Sequence, residues 1–405
     1  MRTMLDFVRT CGTYHILLKR RIGMKKMLAV VATVTCLLFA AGALSMVWAQ
    51  AKPYKIGFIV PLTGYLSWLG EYMKKGAEVR VEMINKAGGV NGRLVELVTY
   101  DDQSSPETAT RHAQRLISSD GVVALMGTGT AVVSGAVSSV ANKSKVPAVI
   151  QSGYALSEKE TFTFNNAHPT DFAISRPMMY FQKKGISQVA LLMPIGPLGE
   201  LGSGIARKHA PTYKITIVGE EKFDVKAPDV TAQLAKLRTL KPQAIMAFTT
   251  GEPAALLARN MAQMGMNVPL VVSHGNATPG FLKLVAQTPT VVIVPSGKIM
   301  AIATLADNDP VKKVVVEFSK AYQAKYGEPA NYYSGQQADA VALISEGVRV
   351  TKSDDPVKLR DALENIKNFA GCNGVYNMSP ADHQGTRTED MILLTVKDGK
   401  WAVLE

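Results

Sequence analysis

The sequence is poor in cysteine and contains no low-complexity tract or short repeat. Only three cysteines occur in 405 residues, and Cys11 and Cys36 both fall within the first fifty. If that segment is removed, Cys372 has no intramolecular partner, which excludes a disulfide framework. Hydrophobic residues make up 47% of the chain and charged residues 19%. This composition excludes disordered and solenoid classes and predicts a globular protein with a large core.

Common catalytic and metal-binding motifs are also absent. The sequence has neither a G-x-S-x-G nucleophile elbow nor a G-x-x-x-x-G-K-[ST] phosphate loop, and its glycine clusters miss the dinucleotide spacing G-x-G-x-x-G. Its six histidines are dispersed, without an H-E-x-x-H pair or a Cys/His cluster. The sequence therefore predicts no enzyme, no metal site and no cofactor.

The first fifty residues have the features of a secretory signal. Lys25 and Lys26 precede an apolar stretch over residues 27–44, and Val47-Trp48-Ala49 follows as a cleavage-like site. We expect residues 1–49 to be removed, with Met24 as the true start and Gln50 as the mature N-terminus. A transmembrane anchor is the alternative, but the apolar run is short for one.

The net charge of +12 falls to +6 without residues 1–49, which leaves 38 basic and 32 acidic residues. These charges are spread along the chain without a Lys/Arg block, which is typical of a solvated surface and not of a nucleic-acid footprint. No nucleic-acid partner is therefore predicted.

From Tyr54 onward, short β-branched runs alternate with helical segments. The pattern predicts strands at residues 55–60, 93–100, 122–126, 146–150, 189–193, 214–218, 244–248 and 270–272, and helices at 71–85, 106–118 and 131–144. Such alternation implies parallel sheets with right-handed crossovers, so the predicted fold class is α/β. Ligands bind such sheets beyond the carboxyl ends of the strands. The loops at those ends are 61–70, 127–131, 151–156, 194–202, 249–253 and 273–279, and they are rich in Gly, Ser and Thr.

Two segments carry a resemblance to a known family. Residues 76–93, which read GAEVRVEMINKAGGVNGR, and the tetrapeptide DDQS at 101–104 resemble the first lobe of leucine/isoleucine/valine-type periplasmic binding proteins. The stretch PLTG at 61–64 precedes these segments and QADA at 337–340 comes after them, both in the order seen in the family, so the resemblance covers nearly the whole mature chain. For the glycines of the first segment, a role in stopping a helix is the simpler interpretation.

The resemblance implies two doubly wound parallel-sheet lobes joined by a three-crossing hinge, with a ligand enclosed between them. Lobe one is placed at 53–170 plus 299–375, and lobe two at 171–298 plus 376–405. The implied function is that of the periplasmic substrate-binding component of an ABC importer, which delivers a small carboxylate or amino acid to permease subunits. The alternative is a sensor of the same fold that acts on a signalling partner.

The ligand carboxylate is expected at two of these loops. The resemblance places it at the loops holding Thr128, Gly129, Thr130 and Ala131, and Ser152, Gly153 and Tyr154. These loops supply hydroxyls and backbone amides near helix starts, although each hydroxyl can equally cap a helix. Trp68 is either a wall for an apolar ligand body or a core residue. Thr250, in a loop of the second half, is a further candidate.

The expected ammonium side departs from the family pattern. His274 stands where an acidic residue is usual, and Leu198 stands where a tyrosine is usual. A protonated His274 would repel an ammonium. Asp171 is the remaining acidic candidate, but helix N-capping explains it nearly as well. An unpaired buried ammonium is costly, so we expect a small carboxylate with an apolar or aromatic body to bind more tightly than leucine, isoleucine or valine.

Overall fold

A five-stranded parallel sheet forms the first half of the fold. The computed structural model describes residues 52–404. The strands of this sheet are β1 Tyr54–Val60, β2 Val95–Asp101, β3 Ala124–Gly127, β4 Ala148–Ile150 and β5 Thr163–Asn165. Their order is β2-β1-β3-β4-β5, and every neighbouring pair is parallel. The last three strands are buried throughout, because helices cover both faces of a parallel sheet.

A seven-stranded sheet forms the second half. Its strands are β6 Gln188–Pro194, β7 Thr216–Phe223, β8 Ala244–Ala247, β9 Leu270–Val272, β10 Val292–Gly297, β13 Met391–Lys397 and β14 Lys400–Val403. The order is β14-β13-β10-β9-β8-β6-β7. Strands β6 to β10 pair in parallel, whereas β13 runs antiparallel to both β10 and β14. A separate antiparallel pair consists of β11 Phe369–Ala370 and β12 Val375–Tyr376.

Eleven α-helices of the described residues connect and cover these strands. They are α1 Ser67–Lys86, α2 Pro106–Arg115, α3 Ala131–Ser144, α4 Thr170–Lys183, α5 Pro197–His209, α6 Thr231–Thr239, α7 Glu252–Gln263, α8 Pro279–Val285, α9 Lys312–Tyr326, α10 Tyr332–Thr351 and α11 Pro356–Glu364. Several begin at a side chain that accepts a hydrogen bond from the first turn, as Thr130 does for α3. Among residues 52–404, no helix combines the length and the apolar character needed to cross a bilayer.

The chain passes between the two halves three times. It leaves the first sheet between β5 and α4, returns between β10 and α9, and leaves again between β12 and β13. Helices α9, α10 and α11 pack on the first half although they follow the second in sequence, because α10 lies against α1 and contacts β3 and β4. Lobe boundaries at single-residue precision stay a prediction.

Helix α10 links the two hydrophobic cores. Asn331 caps it by accepting hydrogen bonds from the amides of Tyr333 and Ser334, which fixes the first turn. Tyr332 is fully buried in the core of the second sheet, whereas Val341 and Ile344 belong to the core of the first. The N-terminal turn of α10 therefore lies at the junction of the two halves.

The sequence-based α/β fold class is confirmed. The predicted bounds of α3 and β9 are those observed. Other elements differ at their ends: the first helix begins at Ser67, inside the predicted loop, and β7 extends to Phe223, five residues beyond the prediction. The glycines at 88, 89 and 92 all have positive φ, as the predicted helix stop and turn require. The export signal predicted for residues 1–49 lies outside the described residues.

Candidate ligand-binding cleft

A cavity of about 250 Å³ lies between the two sheets. Residues following strands β3, β4, β8 and β9 contribute to it, so it lies beyond the carboxyl ends of both sheets. Its lining is Leu69, Met73, Gly129, Gln151, Ser152, Gly153, Ala167, Thr170, Leu198, Phe248, Thr250, Ser273, His274, Tyr332, Tyr333, Gln336 and Gln337.

Six helices begin at or beside residues that line this cavity. Lining residues lie within the first turn of, or just before, α1, α3, α4, α5, α7 and α10. A helix N-terminus carries partial positive charge from its unpaired amides, and several such ends together favour an anion. No Asp, Glu, Lys or Arg is part of the lining. The electrostatic character of the cavity therefore comes from backbone dipoles and neutral side chains.

A chain of hydroxyl groups supports the wall contributed by the first sheet. Thr128 is fully buried, and its Oγ1 lies 2.5 Å from Ser134 Oγ, which lies 2.7 Å from Ser152 Oγ. Thr128 adopts φ +78°, a rare conformation for a β-branched residue, and its amide donates to the carbonyl of Ile59. Ser152 and Gly153 line the cavity, whereas Thr128 lies behind them. Thr128 thus orients the hydroxyl of Ser152 through Ser134.

Four other predicted residues of this side lie outside the lining. Thr130 caps α3 by accepting a hydrogen bond from the Val133 amide, and Ala131 is exposed at the start of that helix. The hydroxyl of Tyr154 donates to Glu160 over 2.6 Å. Trp68 is 46% exposed and packs edge-on against Tyr333, with 6.0 Å between ring centroids. Gly129 is the member of this loop that reaches the cavity.

Asp171 is already engaged by basic side chains. Its Oδ1 lies 2.7 Å from His209 Nε2 and 3.0 Å from Lys208 Nζ. Partial burial opposes ionisation, but hydrogen bonds from His209 and Lys208 prevail and lower the pKa of Asp171. The ionised carboxylate of Asp171 is paired and lies outside the lining, so the cavity has no acidic side chain.

Leu198, Thr250 and His274 line the cavity from the second sheet. Burial lowers the pKa of His274 to about 4, because the ring loses the water that would solvate its charge. His274 is therefore neutral at pH 7, so the repulsion of an ammonium that its protonated form would exert does not arise at that pH. A neutral imidazole offers one donor and one acceptor.

An aromatic wall was missed by sequence reasoning. Tyr332 and Tyr333 lie 5.5 Å apart between ring centroids, and the ring of His274 lies 6.1 Å from both Tyr332 and Phe248. The hydroxyl of Tyr333 donates to the carbonyl of Gly275 over 3.2 Å, which joins α10 to the loop after β9. The rule that ligands bind beyond the carboxyl ends of the strands, here called the strand-end rule, misses these tyrosines because α10 follows another helix and not a strand.

Three glutamines of the lining, Gln151, Gln336 and Gln337, were also not predicted as ligand contacts. Gln151 directly follows β4, so the strand-end rule identified its loop but not the residue. Gln337 begins the family-like QADA stretch and Gln336 precedes it, and this stretch was the only signal for them. Among residues 52–404, no group of His, Cys, Asp and Glu side chains is arranged to hold a metal ion.

Two wound sheets with a neutral cavity between them, reached from several helix N-termini, define a two-lobed solute-binding module. Comparison with known proteins agrees with this class. The family model described as periplasmic binding protein matches residues 53–400. The chain therefore belongs to the periplasmic binding protein family, whose members are exported and bind solutes without catalysing a reaction.

Individual relatives are distant but nearly full-length. The Leu/Ile/Val-binding protein homolog 3 of Brucella melitensis is 25% identical, over 86% of this chain and 93% of that protein. An extracellular ligand-binding receptor from Rhodopseudomonas palustris has a TM-score of 0.77 at 25% identity, covering 88% of this chain and all of the receptor. A branched-chain amino acid transporter substrate-binding protein from Streptococcus pneumoniae, in complex with isoleucine, has a TM-score of 0.72 at 24% identity, over 87% of this chain and 98% of that protein.

Proposed function

We propose that this protein is the substrate-binding component of an ABC importer and that it binds a small carboxylate with an apolar or aromatic body. The main support is a cavity lined from the starts of six helices and without a charged side chain. Partial positive charge from backbone amides stabilises a carboxylate without requiring a buried cation. The hydroxyls of Ser152 and Thr170 and the amide of Gly153 are the proposed anchors.

The rest of the lining suits an apolar body. Leu69, Met73 and Leu198 supply aliphatic surface, and Phe248 and Tyr333 supply aromatic surface. An α-ammonium would enter a cavity without a carboxylate, and burying an unpaired charge costs several kcal/mol. Relatives are named for binding leucine, isoleucine and valine. In this chain the one nearby acidic candidate, Asp171, is paired with Lys208 and His209.

Calorimetry with matched ligands tests this proposal. We expect 3-phenylpropanoate to bind at least about tenfold more tightly than phenylalanine, and 4-methylpentanoate than leucine, because each amino acid adds only an unpaired ammonium. His274→Ala should weaken binding of the acids. His112→Ala, the same change at a histidine that stacks on Tyr100 outside the cavity, should leave it unchanged. Tighter binding of both amino acids, together with unaltered affinity in His274→Ala, would refute the proposed ligand class.

Export and delivery form the second half of the proposal. We propose cleavage after Ala49, so that the mature protein begins at Gln50 and presents its closed, ligand-bound form to permease subunits. Mass spectrometry of protein from the native envelope should find an N-terminus within a few residues of Gln50. An intact chain that retains residues 28–44 in the membrane would contradict this. No feature of residues 52–404 favours the sensor alternative over delivery to a permease.

A further inference from the structure

Two groups of exposed hydrophobic side chains flank the mouth of the cavity. The first rim, which belongs to the first half of the fold, consists of Tyr65, Trp68 and Val132. The second rim, which belongs to the second half, consists of Ile195, Leu198 and Leu201. Tyr65 is 70% exposed and Ile195 is 65% exposed, although both are large apolar side chains. Grouped apolar side chains on a surface mark a site of interaction, whereas single ones need no explanation.

Contacts within each rim hold its side chains together. In the first rim, the loop after β1 packs on the loop after β3, because a Cβ atom added to Gly129 would lie 3.4 Å from the side chains of both Leu66 and Leu69. In the second rim, Leu198 and Leu201 lie three residues apart at the start of α5 and therefore share a face of that helix. Each rim is thus a surface and not a set of scattered residues.

The rims lie on opposite sides of the same opening. Leu198 lines the cavity and is nearly half exposed, so the cavity opens to solvent at the second rim. From the first half, Leu69 and Gly129 line the cavity beside residues of the first rim. All six rim residues follow the carboxyl ends of strands β1, β3 and β6, where the loops that bind ligands in such sheets are found.

The loops that carry the rims are almost free of charge. Residues 61–70 and 127–133 contain no Asp, Glu, Lys or Arg, and Glu200 is the one such residue in 194–202. Two uncharged apolar surfaces on either side of a cleft gain free energy when they meet, because water leaves both. We propose that the first and second rims contact each other when the lobes close, and that this apolar lock adds to affinity beyond the contacts of the ligand itself. The inference rests on ligand binding in the cleft, as proposed above, but not on the chemical class of the ligand.

The opposite rim fits this surface better than a second copy of the chain does. Three crossings of the chain hold the two halves in one molecule, so a contact between the rims costs little translational or rotational freedom. Since the rims stand at one opening, hinge closure by itself brings apolar surface against apolar surface.

Disulfide trapping in the exported chain tests the contact. Cys372 is fully buried, so pairs of cysteines introduced at the surface react without interference from it. Two rim pairs and one control pair are used: Tyr65→Cys with Ile195→Cys, Trp68→Cys with Leu201→Cys, and, as the control, Leu94→Cys with Leu240→Cys. The control positions are also exposed, but they precede strands and so lie at the opposite edges of the two sheets. A disulfide needs Cα atoms within about 7 Å of each other, so at least one rim pair should form an intramolecular disulfide under mild oxidation, and the control pair should form none.

Calorimetry measures what the contact contributes. Tyr65→Ser and Ile195→Ser should each weaken binding of 3-phenylpropanoate and of phenylalanine by the same factor, about threefold to tenfold, because each removes apolar surface that closure buries. The double variant should lose less than the product of the two single losses, since both changes break one contact. The heat capacity change of binding should also become less negative. Leu240→Ser, the same kind of change at an exposed position away from the cavity, should alter neither quantity.

The outcomes separate this inference from the proposed function. If no rim pair cross-links, with or without 3-phenylpropanoate and phenylalanine, the rims do not meet and the lock is refuted, whichever ligand binds. If the acid binds but the losses in the double variant simply multiply, the lock is refuted and the carboxylate proposal stands. If a rim pair cross-links although no carboxylate binds, the contact stands and the carboxylate proposal fails. If the wild-type protein forms dimers that Ile195→Ser abolishes, the rim serves a second copy and the lock is refuted.

Discussion

Replacing Gly76 with alanine should destabilise the protein, because this glycine allows α1 and α10 to approach closely. A Cβ atom at Gly76 would lie 2.6 Å from the Cα of Ser334, and still nearer to its carbonyl oxygen. Both atoms belong to the backbone of α10, so no rotamer change relieves the contact. The helix itself must move.

Two opposing effects set the magnitude. Alanine is favoured over glycine within a helix by up to about 1 kcal/mol. Overpacking a well-packed contact typically costs about 1–3 kcal/mol and occasionally more. Since the contact involves backbone on both sides, the larger value applies, and Gly76→Ala should lose about 2–3 kcal/mol of unfolding free energy, the upper cost less the propensity gain. Moving α10 also displaces Gln337 and Tyr333, so ligand affinity should fall as well.

Gly204 provides the matched control. It lies inside α5, is exposed, and has no atom within 4 Å of an added Cβ. Gly204→Ala should therefore show only the gain in helix propensity, a stabilisation of about 0.5–1 kcal/mol. Urea unfolding, followed by circular dichroism, measures both variants. If Gly76→Ala proves as stable as Gly204→Ala, the close helix contact does not limit packing and the reasoning is wrong.

Three further outcomes are expected. Burial lowers the pKa of His168 to about 3 and that of His274 to about 4, from about 6.5 in the unfolded chain, so stability is full above pH 6.5 and is lost as the pH falls toward 4. His274→Gln should remove the part of this loss that is due to His274, about 3 kcal/mol. An unchanged dependence of stability on pH would contradict the neutral burial of His274. Burial raises the pKa of Asp102 to about 6, an effect of opposite sign that is common to wild type and variant and therefore cancels in their difference. Asp171→Asn should leave ligand affinity within about twofold, because Asp171 is paired outside the cavity, and a tenfold loss would show that it contacts the ligand. Small-angle scattering should show a smaller radius of gyration when ligand binds, and an unchanged radius with a tight ligand would argue against closure of the lobes.

Much of the fold was predictable because local patterns carry it. The β-branched runs and the glycine-rich stops between them identified the strands, and the helix starts predicted at Pro106 and Ala131 are those observed. The strand-end rule also located the loops that meet at the cavity. Within those loops it could not separate residues that face the cavity, such as Ser152, from those that lie behind it, such as Thr128.

Contacts between distant segments were not predictable from these patterns. The pairing of Asp171 with His209 depends on how α4 packs against α5, and nothing in the local sequence announces it. Likewise, the Gln337 side chain meets Gln151, which is 186 positions away. Such contacts arise from packing of whole elements, which a single sequence does not encode at any one position.

The sequence by itself determined the class of this protein: an α/β chain with parallel sheets, Gly- and Ser-rich loops at the strand ends, and a family-like segment at residues 76–93. Periodicity and turn chemistry are local, so they survive without knowledge of neighbours in space. Only the tertiary structure decided the chemistry of the cavity. Its lack of charged side chains, the neutrality of His274 and the aromatic wall of Tyr332 and Tyr333 all follow from which groups are buried together. Burial and pairing, not residue type, set the charge and the hydrogen-bonding needs of a polar group.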